Sequence, residues 1–308
     1  MPKSTRSVKF WIAISLISLI AWATYLLVPG LEHMGNAIFG IPDSYVRSVG
    51  LTFWASLAGD AFLLLASLLG LISILLSAVK SKPFIQIRGL VTAALVFESV
   101  YYLGFIPSVP FLIRTLKVTS ANFGIVFLGI IYILQILLTV PFLLFLAFKV
   151  ARYRDESKKL NLLKWGGLTF AAFVASLWAN IALRWVDMLV SSGGTQFLFV
   201  GIRPLGFFSG VIFMSLAVVF AVVCSLYFIR QKVDSAIIWL GLSLAMIGFQ
   251  YAVFLVYAYA VNFMAVALLL DWWTVPLLGL GVSILVASKT SSPKVQQHHK
   301  SESIVEKG

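Results

Sequence analysis

Two carboxylates interrupt runs of sequence that are otherwise almost wholly apolar: Glu98 in GLVTAALVFESVYYLGF and Asp60 in LTFWASLAGDAFLLLASL. If these runs cross a bilayer, each charged carboxylate costs about 2.5 to 3.5 kcal/mol to insert, so each calls for a reason. One reason is chemical: an acid that takes up and releases a proton, or holds a cation, within the membrane. The other is structural: an acid kept neutral, or hydrogen-bonded to Gln135, Gln250, Ser99 or Thr92, that fixes one helix against the next. Gln135 and Gln250 lie deep in their own apolar runs and are candidates to line the same pathway.

A further polar group falls in WANIALRWVDMLVSSGG. Asn180, Arg184 and Asp187 sit at i, i+4 and i+7, on one helical face, and Arg184 can pair with Asp187. With Arg203 and Asp271 they make an outer charge cluster, and Asn180 joins the pathway candidates. The fork of donors on arginine suits an anion, so Arg184 and Arg203 could attract an anionic solute to a mouth. The plainer reading is a set of interfacial side chains reaching headgroups, with Trp178, Trp185, Trp272 and Trp273 marking the boundary.

Other chemistry is excluded by what the chain lacks. Its three histidines are His33, His298 and His299, outside the apolar runs, so no pair of helical histidines can hold haem or zinc and no Ser/His protease has its base. Cys224 is the only cysteine, which removes intrachain disulfides and thiolate metal sites. No Gly-rich phosphate loop ending in Lys-Ser/Thr is present, and no apolar run has an internal lysine for a Schiff base. No cofactor or metal is therefore expected, and an enzymatic reaction is not the leading expectation.

The elements that must position these residues follow from composition. Hydrophobic residues make up 61% of the chain and charged residues 11%, and the mean hydropathy is +1.01, far from the balance of a soluble domain. A bilayer core of roughly 30 Å takes about 20 apolar residues per helix. Eight such runs are present, near residues 10–28, 51–79, 89–106, 122–148, 166–190, 207–229, 236–260 and 267–288. They are continuous where barrel strands would alternate, so the expected fold is all-α: a polytopic membrane protein of eight transmembrane helices.

Charge orients them. With both termini cytoplasmic, 18 of the 23 basic residues fall on the inner side, and Arg47, Arg114, Lys117, Arg184 and Arg203 fall outside. The alternation satisfies the positive-inside rule. The net charge of +12 then reads as orientation and as contact with anionic headgroups on the cytoplasmic side, and no nucleic-acid partner is expected. The basic start followed by Ala21-Trp22-Ala23 also has the outline of a signal peptide, but apolar residues continue to Val28, which favours a retained helix.

The expected organisation is a first four-helix half at 1–148, a basic cytoplasmic loop at 149–165, a second half at 166–288 and a disordered tail at 289–308. The links near 29–50 and 191–206 are expected to be external loops, with a short interfacial helix or partial plug around Ala37-Ile38-Phe39 as the alternative for the first. Thr-Val-Pro occurs at 139–141 and again at 274–276, in the last run of each half, and Phe97-Glu98 is echoed by Phe249-Gln250. These echoes raise a 4+4 parallel pseudo-repeat. Pro141 and Pro276 remove a backbone donor and are candidate kinks, with Thr139 and Thr274 placed to bond strained carbonyls locally.

The leading functional expectation is a carrier or channel-like permease of the cell membrane for a small solute, ion or lipid. The alternatives are a nonenzymatic membrane-complex subunit or sensor and, below that, a membrane-embedded lipid-modifying enzyme built on the outer charge cluster.

Overall fold

The computed structural model describes residues 3–38, 44–104, 123–191, 203–260 and 264–290. Among the described residues it holds eight α-helices: α1 Lys3–Ile38, α2 Ser44–Val79, α3 Phe84–Leu103, α4 Phe123–Ala151, α5 Lys159–Ser191, α6 Arg203–Ile229, α7 Val233–Ala260 and α8 Met264–Thr290. A 3-10 turn, Glu156–Lys158, precedes α5, and there is no strand among the described residues. Six helices (α1, α2, α3, α5, α6 and α7) are long and apolar enough to cross a membrane, and α4 and α8 contain shorter apolar stretches, Ile136–Ala151 and Thr274–Lys289.

Every helix overlaps one of the apolar runs, but the ends differ, because hydropathy marks contact with lipid while a helix continues as long as its backbone bonds do. α3 begins at Phe84, before its apolar run, and α5 begins at Lys159, so only a few residues of 149–165 are turn. The expected loop at 29–50 is corrected more deeply. α1 runs on to Ile38 and α2 starts at Ser44. Leu31, Met34 and Ile38 recur at helical spacing, and a helix that outlasts the bilayer satisfies its own backbone without a loop.

Each helix packs on the next in sequence, and α8 packs on α1, so the eight close into a ring. Ser7 and Ser283 share a hydrogen bond of 2.8 Å across that closure, and the Trp11 ring fills the space where Gly279 has no side chain. Small residues set the other crossings. Gly241 and Ala245 of α7 lie against Gly281 of α8, so closely that a Cβ on Gly281 would come within 2.8 Å of the Ala245 nitrogen. This is the packing expected where lipid gives no hydrophobic drive and close van der Waals contact must hold helices together. Serine hydroxyls add bonds between helices: Ser225 to the Gly167 carbonyl at 2.7 Å and Ser243 to the Ala217 carbonyl at 2.8 Å.

Three contacts fix which helix ends lie together. Lys9 at the start of α1 donates to the carbonyl and hydroxyl of Ser77 near the end of α2, at 3.1 and 3.0 Å. Arg88 of α3 donates to the Tyr153 carbonyl just after α4, and Ser7 meets Ser283 as above. Every basic side chain among the described residues belongs to this one end of the ring. Lys149 lies over the Phe145 ring there and Arg152 over Phe148, 5.1 and 4.0 Å from the ring centres.

Both prolines are accommodated within helix, but they differ in surroundings: Pro141 is exposed and Pro276 buried. The local role expected for Thr139 is corrected. It is fully buried, and its hydroxyl points to Ser176 of α5 at 3.4 Å instead of back along its own helix.

Candidate functional site

The ring order places α3 directly opposite α7. The face of each that turns inward can be read from the face that does not. On α3 the exposed stripe is Ile85, Val96 and Leu103. Glu98 follows Val96 by two residues, about 200° around the helix, and so turns to the interior. Tyr102 lies one turn beyond Glu98 on the same side. On α7, Phe249 is exposed and Tyr251 follows it by the same two residues. The phenol of Tyr102 lies close enough to Glu98, Tyr101 and Tyr251 to feel each of them electrostatically. Tyr251 therefore turns toward α3 across the ring.

Glu98 is half-buried and has no hydrogen bond or ion pair among the described residues. Two partners expected from the sequence are committed elsewhere: Ser99 donates to the Leu95 carbonyl at 2.7 Å and Thr92 to the Arg88 carbonyl at 2.8 Å. Each bonds back along its own helix, as hydroxyls in helices do. Gln250, next to Tyr251, is 2% exposed, and its Oε1 is the buried side-chain polar atom without a partner among the described residues. Leaving such an acceptor unmade costs about 1 to 3 kcal/mol. The interior between α3 and α7 thus holds a carboxyl group and two phenols, and α7 adds an orphan amide oxygen at Gln250, about 100° around the helix from Tyr251.

Asp60 lies at the same depth. Gly59 packs against Tyr101, and the Phe62 and Phe97 rings lie tilted with centres 5.6 Å apart, so Asp60 and Glu98 fall between the same two contacts. Asp60 is half-buried, on the side of α2 that carries the buried Leu63 and Ser67, and it too has no partner among the described residues. The depth of Glu98 is revised, because α3 starts earlier than its apolar run. Glu98 lies about 21 Å along the helix from Phe84 and about 8 Å from Leu103, about midway between the centre of α3 and its end away from the basic residues.

The backbone positions of Gln135, Asn180, Arg184, Asp187, Arg203 and Asp271 fall on α4, α5, α6 and α8, and their side chains lie outside the described residues, as do 192–202 and 291–308. The described residues include no cluster of three or more His, Cys, Asp or Glu that could hold a metal ion. Tyr102 and Tyr251 were missed by the sequence reading. Aromatic residues in apolar runs read as packing or interface, and only the i, i+4 spacing of Glu98 and Tyr102 signalled a shared face.

A carboxyl with neighbouring phenols can exchange a proton with a solute, accept hydrogen bonds from an amine or hold a desolvated cation. No family model, no curated protein and no solved structure matches this chain.

Proposed function

We propose that the protein is an eight-span carrier of the cell membrane, with both termini cytoplasmic, which moves a small solute or ion past Glu98. The observation that carries this reading is Glu98 itself, an acid turned into the ring with no hydrogen-bond or ion-pair partner among the described residues, one turn from Tyr102. A packing acid would be expected to have its hydrogen bonds made within the protein. Gln250, with its unmade acceptor, and Asp60, at the same depth, supply further polar groups to one pathway.

Eight spans are supported by the ring. α4 and α8 are 29 and 27 residues long, and each is flanked on both sides by helices apolar enough to cross. Cytoplasmic termini are supported by the collection of described basic side chains at the end that holds the start of α1 and the close of α8. A 4+4 relation would set α3 opposite α7, as the ring has them, but it would also give Pro141 and Pro276 equivalent surroundings, which they lack.

The test is reconstitution into liposomes with an internal pH dye, for the wild type, Glu98→Gln and Tyr102→Phe, against a panel of small solutes and cations. The expected result is solute-dependent proton or cation movement in the wild type, lost in Glu98→Gln and slowed in Tyr102→Phe, with both variants folded by thermal melting. If no solute moves, and Glu98→Gln melts higher than wild type, the acid is a packing residue and the membrane-complex subunit becomes the better reading.

A further inference from the structure

The flank of α3 turned away from Glu98 carries a groove of about 350 Å³, lined by Arg88, Gly89, Thr92, Ala93, Val96 and Phe97 with Ala151 of α4. Its wall is apolar along most of its length, and a cation stands at one end. Gly89 borders open space in the groove: a Cβ there would meet nothing within 4 Å. Val96, a stripe residue of the exposed face, shows that the groove opens outward from the ring.

Arg88 is held in place by donating to the Tyr153 carbonyl, which uses part of a five-donor guanidinium and leaves the rest for a second acceptor. The surrounding segments are strongly basic. Residues 80–88 and 149–159 carry eight Lys or Arg against two acidic residues. Arg152, exposed over the Phe148 ring, directly follows Ala151 at the groove wall, and Arg154 is exposed two residues on.

We propose that this groove is a binding site for an anionic phospholipid, with an acyl chain along Gly89, Ala93 and Val96 and the phosphate on Arg88 and Arg152. An apolar trough that ends in arginines matches the two halves of such a lipid, and basic pockets between membrane helices suit anionic headgroups. A zwitterionic lipid would bring its own cation into the same basic surroundings. The site lies on the opposite face of α3 from Glu98, and it does not depend on the carrier reading.

The test is lipid retention by the full chain, purified from mixed micelles of phosphatidylglycerol and phosphatidylcholine and read by native mass spectrometry. Wild type is expected to retain phosphatidylglycerol in preference. Arg152→Gln should reduce that preference about fivefold, the worth of one basic residue near a charged lipid surface. Gly89→Leu, whose Cβ would meet nothing within 4 Å and whose side chain would extend into the trough, should abolish the bound lipid while leaving the melting temperature of lipid-free protein unchanged. Equal retention of the two lipids, or unchanged phosphatidylglycerol binding in Gly89→Leu, overturns the proposal. So does a disulfide-linked dimer formed by Gly89→Cys, which would assign the groove to a second copy; Cys224 is fully buried and stays silent in that assay.

Discussion

Replacing Gly281 by alanine should loosen the ring at its closest crossing. A Cβ built there falls 2.8 Å from the Ala245 nitrogen, 2.9 Å from the Gly241 oxygen and 3.1 Å from the Ala245 Cα. All three are backbone atoms, so no side chain can swing aside. Carbon contacts are comfortable at about 3.5 to 4.0 Å, which means that α7 and α8 must part by about 0.7 Å or more. Overpacking of this kind costs about 1 to 3 kcal/mol. The gain from placing alanine for glycine in a helix, about 0.5 to 1 kcal/mol, offsets part of it. The net expectation is destabilisation by about 1 to 2 kcal/mol. Thermal melting of purified protein measures it, with Gly166→Ala as the comparison. Gly166 is also helical, and a side chain there meets nothing within 4 Å, so that variant should match the wild type or exceed it. If Gly281→Ala melts with Gly166→Ala, the backbones of α7 and α8 are not in contact and the small-residue account of the crossing fails.

Two further outcomes follow from the packing and the charge. Ser225→Ala removes the hydroxyl that bonds the Gly167 carbonyl of α5 as well as the Ala221 carbonyl of its own helix, and should destabilise by about 0.6 kcal/mol, with 1.7 as a ceiling; a larger loss in the same melting assay would mean that the serine does more than join α5 to α6. Lys80→Cys and Arg154→Cys, both at exposed positions of the basic end, should resist a membrane-impermeant maleimide in right-side-out vesicles and react after lysis; labelling before lysis would reverse the orientation.

The helices were legible because a bilayer leaves a long one-dimensional signal, a run of apolar residues of fixed minimum length. Their ends were less so. Phe84 to Arg88 and Lys159 to Lys164 belong to helices but face the basic end, where polarity no longer reports on secondary structure. Glu98 and Asp60 could be singled out because a charge in an apolar run is expensive wherever it faces. That both lie at one depth depends on how α2 meets α3, through Gly59 on Tyr101 and Phe62 on Phe97, and no spacing along the chain encodes that register. Tyr251 illustrates the same limit more sharply: Tyr102, which feels it electrostatically, is far away in sequence, and the two come within reach because the ring closes. Gly241, Ala245 and Gly281 carried a visible small-residue pattern, but the pattern does not say which helix it admits.

That closure has a consequence for how the molecule is made. The contact between Ser7 and Ser283 joins residues 276 positions apart, and the Trp11 ring rests on Gly279. At a synthesis rate of about 5 to 20 residues per second, α1 waits roughly 15 to 55 s after it emerges before α8 exists to meet it. During that interval the Trp11 face of α1 must be covered by lipid or by the insertion machinery. Until the seam between α1 and α8 forms, the chain is an open arc whose two ends are both available to other helices.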